Sequence, residues 1–185
     1  AGRGRRGRGW ESPSGSNIYY TLMLKPDFNA DCAPMLTLVM ALAVAKGIRQ
    51  PLGRGSEEGA AKVGIKWPND IVVDGKKVCG ILTEMSMEQA YIHHIVIGVG
   101  INVRRQEFPE EIRDRAAAID EQCGFRISRS QLIADIMEAF EEDYEIFLQT
   151  HDLKRLRDSY AKLLVNRDRE VCVLDPKGEF RGTAR

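Results

Sequence analysis

Short apolar runs dominate the first half of the chain. Residues 18–24 (Ile-Tyr-Tyr-Thr-Leu-Met-Leu) are rich in β-branched and aromatic side chains, which is typical of a strand. Residues 95–101 are nearly all apolar, which indicates a strand covered on both faces. The pair Asp74-Gly75 between two apolar runs predicts a hairpin turn. Together the patterns predict strands at residues 18–24, 62–67, 70–73, 77–85 and 91–101.

Helical spacing appears before these strands and again in the second half. Between residues 33 and 50, apolar side chains recur at three- and four-residue intervals, and Pro34 suits a first helical turn. The pattern Ser128-x-x-Gln131 resembles a capping box ahead of a long amphipathic helix. Helices are predicted at residues 33–50, 108–119, 130–149 and 152–165.

The last twenty residues predict two strands, at residues 170–175 and 179–183. Two strands do not form a stable unit by themselves. We therefore interpret residues 166–185 as the beginning of a small β domain and residues 1–165 as the main domain. The chain also opens inside a glycine-arginine motif, so we expect that an N-terminal portion of the main domain precedes it.

Composition and charge narrow the functional class. The 185 residues carry 27 basic and 27 acidic side chains, so no overall field favours nucleic acid. The four cysteines stand singly and far apart, which predicts a reduced, cytoplasmic protein without a structural zinc site. Because no apolar run approaches the roughly 18 residues of a membrane span, we expect no membrane association.

The basic charge is concentrated in the opening sequence Gly-Arg-Gly-Arg-Arg-Gly-Arg-Gly-Trp. Clustered arginines repel one another unless an anion binds among them, and the glycines allow close backbone approach, so we interpret the motif as a phosphate cradle. The spacing also matches a dinucleotide fingerprint, but residues 11–16 contain Pro13 and Gly15 and do not favour the helix that this fingerprint requires. A disordered RNA-binding tract is the other alternative.

A second polar cluster is Lys66-Trp67-Pro68-Asn69-Asp70, at the end of a predicted strand. An ordinary turn is one interpretation, since Pro, Asn and Asp are common in turns. The other is a binding site, because Lys77 follows across the predicted hairpin and can meet Asp70. A lysine held by a carboxylate is suited to bind a phosphate or a carboxylate.

The strand at residues 91–101 contains a third candidate. Strand alternation places Gly98, Gly100 and Asn102 on one face, where the glycines leave a flat trough and the amide suits a purine edge. Alternatively the glycines admit a neighbouring helix. His93 and His94 are adjacent in this strand, so we expect them to point to opposite faces and not to bind one metal ion together.

These motifs, with Lys77-Val-Cys-Gly80-Ile-Leu82, occur in an order and spacing that strongly resemble the biotin protein ligases. The resemblance implies an α+β fold with a mixed β-sheet backed by helices, of the kind shared with class II aminoacyl-tRNA synthetases. It implies a catalytic domain at residues 1–165 and the start of an SH3-like β domain at residues 166–185. The implied activity is the Mg-ATP-dependent conversion of biotin to biotinyl-5′-AMP, followed by transfer to a lysine of a biotin carboxyl carrier protein.

The resemblance also implies roles for individual residues. Lys77 and Arg5 would be catalytic, and Asp70 would orient Lys77 or hold Mg²⁺. Biotin and ATP would be bound by Gly2, Arg3, Gly4, Arg5, Arg6, Trp10, Lys66, Asn69, Lys77, Gly80, Leu82, Gly98, Gly100 and Asn102, with residues 116–118 beside the adenine. On a regular strand Lys77 and Gly80 face opposite ways, so both can reach biotin only if a bulge intervenes.

Some features of the family are not present in this sequence. An upstream Ser/Thr-Asn motif and a Gln before the glycine-arginine loop bind the biotin ring in such ligases, and neither occurs here. A homodimer is left open, and DNA binding would require an N-terminal winged helix. The alternatives are a lipoate-type ligase on the same fold and an Arg-Gly RNA-binding module.

Overall fold

The computed structural model describes residues 2–4, 7, 9–10, 13–55, 57–88, 91–175 and 178–185. Its strands are β1 (Gly2–Arg3), β2 (Gly9–Trp10), β3 (Ile18–Leu24), β4 (Val63–Lys66), β5 (Asp70–Val73), β6 (Lys76–Glu88), β7 (Tyr91–Ile101), β8 (Glu170–Asp175) and β9 (Gly178–Thr183). Its helices are α1 (Met35–Gly55), α2 (Glu57–Ala61), α3 (Ile119–Cys123), α4 (Arg129–Thr150) and α5 (Arg157–Leu163).

A five-stranded sheet in the order β3-β7-β6-β5-β4 organises the fold. Among the described residues every pairing between its strands is antiparallel, and parallel geometry occurs only at the isolated bridges Ile65 to Leu164 and Lys77 to Ala116. The α+β class is therefore confirmed. The sheet itself is antiparallel, although a mixed sheet was predicted, and parallel pairing is limited to these two bridges. Two further antiparallel pairs, β1-β2 and β8-β9, lie outside this sheet.

One face of the sheet packs against α1, and α4 packs on α1. The core-facing side chains of β7 are Ile95, Ile97, Val99 and Ile101, and each is at most 3% exposed. The alternate positions of β7 are half-buried or exposed. The expectation that this strand is covered on both faces was therefore wrong for the structure, which leaves the second face of the sheet open.

Helices α1 and α4 pack closely against each other. Ser128 caps α4 as the sequence predicts, because its hydroxyl accepts a hydrogen bond from the Gln131 N–H. Lys46 of α1 pairs with the buried Asp143 of α4 at 2.6 Å, and burial raises the pKa of this carboxyl. By length and composition a helix at Ala30–Arg54 could span a membrane, but 61% of its most apolar window is buried inside the fold.

Two helix predictions were wrong in extent. Residues 110–115 form turns, Ala116 forms a bridge, and a helix begins only at Ile119. The backbone here bonds to β6 instead: the Lys77 N–H donates to the Arg115 carbonyl at 2.7 Å and the Ala117 N–H donates to the Lys77 carbonyl. The helix predicted at residues 152–165 begins only at Arg157. The Asp152 carboxylate accepts the Lys154 N–H and favours a turn there.

The expectation that His93 and His94 point to opposite faces was also wrong. The pairing between β6 and β7 is Ser86 with His94 and Met87 with Ile92, so His93 is an extra residue in a bulge. The bulge brings the two rings together, with their Nδ1 atoms 2.8 Å apart. Among the described residues, no three His, Cys, Asp or Glu side chains form a metal-binding group, so the pair has no third such ligand.

The close contact of α1 with α4 predicts opposite effects of two glycine substitutions in α1. A Cβ at Gly47 would overlap Cγ1 of the buried Ile136 and lie 3.1 Å from its backbone, whereas a Cβ at Gly53 would make only an ordinary 3.5 Å contact with Ala60. We expect Gly47→Ala to lower the free energy of unfolding by about 1–2 kcal/mol, since overpacking exceeds the gain in helix propensity.

Gly53→Ala is the matched control. It is expected to raise the free energy of unfolding by about 0.5–1 kcal/mol, because alanine is favoured over glycine in a helix. Denaturant unfolding followed by circular dichroism measures both values. Equal effects of the two substitutions would contradict the close packing of α1 on α4.

Candidate functional site

The open face of the sheet carries a row of candidate residues, one from each strand. The strand register aligns Lys66 with Asp70, Asp70 with Gly80, Gly80 with Gly100, and Gly100 with Tyr19. Directly opposite residues in adjacent strands share a face, so these five residues form a continuous line across the sheet. Four of the five are residues that the sequence analysis singled out.

A bulge in β6 brings Lys77 to this line. Ile71 pairs with Cys79 and Val72 with Lys77, which leaves Val78 as an extra residue. Lys77 and Gly80 therefore lie on the same face, as the sequence analysis required for a shared ligand. A Cβ at Gly80 would be 3.3 Å from Cε and Nζ of Lys77.

Lys77 and Asp70 form an ion pair, with Nζ 2.7 Å from Oδ1. Their side chains are 34% and 23% exposed, so the pair is shielded but still accessible to a ligand. The alternative that Asp70 serves only its own turn does not fit this geometry. A partly shielded ammonium group with a fixed carboxylate can bind a phosphate or carboxylate and hold it in one orientation.

Trp10 lies over the two aligned glycines. A Cβ at Gly80 would be 2.8 Å from Cζ3 of the indole, and a Cβ at Gly100 would be 2.8 Å from its Cε2 and Nε1. Lys77 Nζ lies 5.2 Å from the ring centroid, within the range of a cation–π contact. The predicted trough ran along β7 over Gly98 and Gly100, whereas the indole here lies on Gly100 and its cross-strand partner Gly80, and a Cβ at Gly98 would not contact it. Any larger residue at Gly80 or Gly100 would displace the ring.

The other predicted residues of β6 and β7 border this trough. Leu82 pairs with Gly98 in the next row, where a Cβ at Gly98 would meet only the Leu82 carbonyl at 3.7 Å. Asn102 is 5% exposed, and its backbone N–H donates to the Val78 carbonyl. Ala116 forms a parallel backbone bridge with Lys77, so this segment runs beside the strand that carries the lysine. The place of residues 116–118 beside the adenine remains a prediction.

The turn between β4 and β5 lies at the end of the row that contains Lys66 and Asp70. Asn69 Nδ2 donates to the Ile81 carbonyl at 3.0 Å, and the Ile81 N–H donates to the Asn69 carbonyl at 2.9 Å. Asn69 therefore fastens the turn to β6. Lys66 is exposed at the outer edge of the row.

Part of the predicted phosphate cradle lies outside the described residues. This applies to Arg5 and Arg6, and to the side chain of Arg3. The backbone at Gly2 and Arg3 pairs with Gly9 and Trp10 in the β1-β2 hairpin, and this hairpin carries Trp10 to the trough. The roles of Gly2, Arg3, Gly4, Arg5 and Arg6 remain predictions.

Sequence analysis missed Tyr19, the fifth residue of the row. Its hydroxyl accepts a hydrogen bond from Asn17 Nδ2 at 3.0 Å, and Asn17 also bonds Gln106 and the Val103 N–H. This network fixes the ring beside Gly100. The available signal was strand alternation, which places Tyr19 opposite the buried Ile18 and therefore on the open face.

Cys79 lies directly behind the site, on the core side of β6. It is fully buried, and this burial raises the pKa of its thiol far above the ordinary range, although the positive charge of Lys77 opposes the shift. The thiol therefore stays protonated, and covalent chemistry by Cys79 is disfavoured.

The fold and the lysine-centred site correspond to one known class of protein. The family model for the biotin/lipoate A/B protein ligase family matches residues 1–102, and the chain belongs to this family. The predicted resemblance is thereby confirmed.

Particular relatives give the likeness in more detail. The chain is 40% identical over 166 residues to the "Bifunctional ligase/repressor BirA" of Bacillus subtilis, covering 87% of this chain and 49% of the relative. It is 42% identical over 103 residues to a "Biotin--[acetyl-CoA-carboxylase] ligase" of Paracoccus denitrificans, covering 56% of this chain and 40% of the relative. The chain thus spans about half the length of the curated relatives that it matches most strongly.

A solved structure shows the same fold. The biotin protein ligase from Aquifex aeolicus in complex with biotin and ATP superimposes with a TM-score of 0.80 and 29% sequence identity. The match covers 98% of this chain and 71% of the Aquifex chain.

The trough predicts that Gly100→Ala displaces Trp10. The new Cβ would lie 2.8 Å from two indole atoms, too close for any real contact, while the strand itself accepts alanine. The chain contains two tryptophans, so a Trp67→Phe background isolates the emission of Trp10. In that background we expect Gly100→Ala to shift the Trp10 emission to longer wavelength and to increase quenching by acrylamide.

Gly98→Ala is the matched control, since its Cβ would make only a 3.7 Å contact. It should leave the Trp10 emission unchanged. An unchanged spectrum in folded Gly100→Ala would show that the indole does not rest on Gly100.

Proposed function

We propose that the protein containing this chain is a biotin protein ligase. It would join biotin and ATP to give biotinyl-5′-AMP and pyrophosphate, and then transfer the biotinyl group to a lysine of a biotin carboxyl carrier protein. The observation that carries the proposal is the Lys77–Asp70 pair on the glycine floor formed by Gly80 and Gly100, under Trp10. The likeness to the Bacillus, Paracoccus and Aquifex ligases supports it.

The chemistry of the first step explains why a fixed lysine is needed. Attack of the biotin carboxylate on the α-phosphorus brings two anions together, so charge neutralisation and alignment dominate catalysis. Lys77 Nζ would lie between the carboxylate and the α-phosphate oxygens, and Asp70 would keep the ammonium group in place. Gly80 and Gly100 would let a flat group of the ligands approach the backbone once the indole of Trp10 moves off them, and Trp10 would then stack on the adenine.

The charged residues present fit a magnesium ion that is held mainly by the nucleotide. Mg²⁺ binds through one or two carboxylates together with substrate phosphates, and Asp70 provides one such carboxylate in the row. The metal would neutralise phosphate charge when bound. Asp70 as its ligand, and Arg3, Arg5 and Arg6 around the phosphates, are parts of the proposal.

The remaining parts of the proposal concern the setting of the reaction. A biotin carboxyl carrier protein would be the acceptor, in accord with the carboxylase ligase name of the Paracoccus relative. A cytoplasmic location fits the pattern of single cysteines. The name of the Bacillus relative also includes a repressor role, and we do not extend that role to this chain.

Substitution of Lys77 tests its catalytic role. We expect Lys77→Ala to slow biotin-dependent ATP–pyrophosphate exchange by about a hundredfold or more, because a preorganised charge at the reacting phosphate is lost. Asp70→Asn should also reduce the rate strongly, and the double variant should lose less than the sum of the two effects, since the residues act as a unit.

Lys76→Ala is the matched control, because Lys76 neighbours Lys77 but is exposed at the hairpin end. It should exchange at the normal rate. A normal rate in Lys77→Ala would remove Lys77 from the active site, and additive losses would show that Lys77 and Asp70 work separately.

The choice of acid distinguishes the proposed function from its alternatives. In the full-length protein, ATP–pyrophosphate exchange should depend on biotin and be at least about a hundredfold weaker with lipoate, since a site shaped for one substrate rejects an analogue that leaves its polar groups unpaired. Exchange that prefers lipoate would indicate a lipoate ligase. Salt-sensitive RNA binding without any exchange would favour the RNA-binding alternative.

A further inference from the structure

The segment that follows α5 runs along the outer edge of the sheet, next to the site. Leu164 forms a parallel bridge with Ile65, and the Val165 N–H donates to the Ile65 carbonyl at 3.0 Å. Gly64 of β4 lies directly against Val165, where any side chain would overlap Cγ1. This segment is therefore hydrogen-bonded to and packed against β4, the strand that leads into the site.

Asn166 connects the same segment to the turn between β4 and β5. Its Oδ1 accepts a hydrogen bond from the Trp67 N–H at 3.1 Å, across 99 residues of sequence. At the other end of the turn Asn69 bonds Ile81 of β6. The turn is thus held on one side by the sheet and on the other by a single side chain from the C-terminal segment, and Asp70 follows immediately.

The position of Asp70 is sensitive to this turn because it is the first residue of β5. Its carboxylate lies 2.7 Å from Lys77 Nζ, and both side chains are partly exposed, so the direction of the Asp70 side chain depends on the backbone of this turn. Reacting groups must be held within fractions of an ångström, and supporting hydrogen bonds provide that precision.

We propose that Asn166 is a positioning residue for the Asp70–Lys77 pair, through its hydrogen bond to the Trp67 N–H. This inference rests on the proposed function, because it assigns Asn166 to the adenylation step. The carbonyl of Asn166 also accepts the Arg169 N–H at 3.2 Å, just before β8 begins at Glu170. The same residue therefore connects the start of the C-terminal hairpin to the catalytic row.

The test compares three variants of the full-length protein in biotin-dependent ATP–pyrophosphate exchange. Asn166→Ala removes the acceptor and should lower kcat about three- to tenfold, as expected for one hydrogen bond, with the KM values for biotin and ATP changed less than about twofold. Asn166→Asp keeps an acceptor for the Trp67 N–H and should restore most of kcat. Arg167→Ala is the control, since the Arg167 side chain is exposed and forms an ion pair with its exposed neighbour Asp168.

Two further measurements separate positioning from a general loss of stability. In a Lys77→Ala background, Asn166→Ala should reduce the rate less than about twofold further, because the group that it positions is already absent. By NMR, the Asp70 carboxyl ¹³C and Lys77 ammonium ¹⁵N signals should shift in Asn166→Ala and return in Asn166→Asp.

The outcomes distinguish this inference from the proposed function. If the unmodified protein shows no biotin-dependent exchange, the proposed function fails, and the NMR signals still decide whether Asn166 orders the ion pair. If the protein is active but Asn166→Ala has a normal kcat or unmoved signals, the inference is overturned. Failure of Asn166→Asp to restore kcat would likewise overturn it.

Discussion

The bulge at Val78 is the constraint on which the candidate site depends. Without the extra residue, strand alternation would turn Lys77 toward the core, where its ammonium group would have to be desolvated. With it, Lys77 reaches the open face and pairs with Asp70 at 2.7 Å, while Cys79 keeps its place in the core. The one extra residue therefore lets Lys77 and Cys79 point to opposite faces of β6, although they are two positions apart.

The second requirement is a flat floor beside that lysine. Gly80 and Gly100 are direct cross-strand partners, so two missing side chains coincide at one place on the sheet. Trp10 uses this space, and its distances show that no Cβ would fit beneath the ring. Charge and flatness are therefore supplied by neighbouring strands, and the antiparallel register brings them together.

The apolar layer behind the sheet makes this arrangement rigid. The core-facing residues of β7 are buried, and the backbones of α1 and α4 in the same core approach closely at Gly47. A well-packed core resists displacement, so the open face can carry polar and glycine residues that contribute little to stability. The turn that precedes Asp70 lies at the edge of this layer. Hydrogen bonds of Asn69 and Asn166, rather than apolar packing, hold it in place.

The sequence alone determined the elements with strong periodicity, such as β3, β7 and α4, and the chemical character of Lys77, Asp70 and the glycines. Local pattern suffices there because side-chain period and turn chemistry depend on near neighbours. The tertiary structure decided the bulge, the contact of Trp10 with Gly80 and Gly100, the place of Tyr19, and the turns at residues 110–115. Each of these depends on strand register or on backbone bonds to residues distant in the chain, which no local pattern encodes.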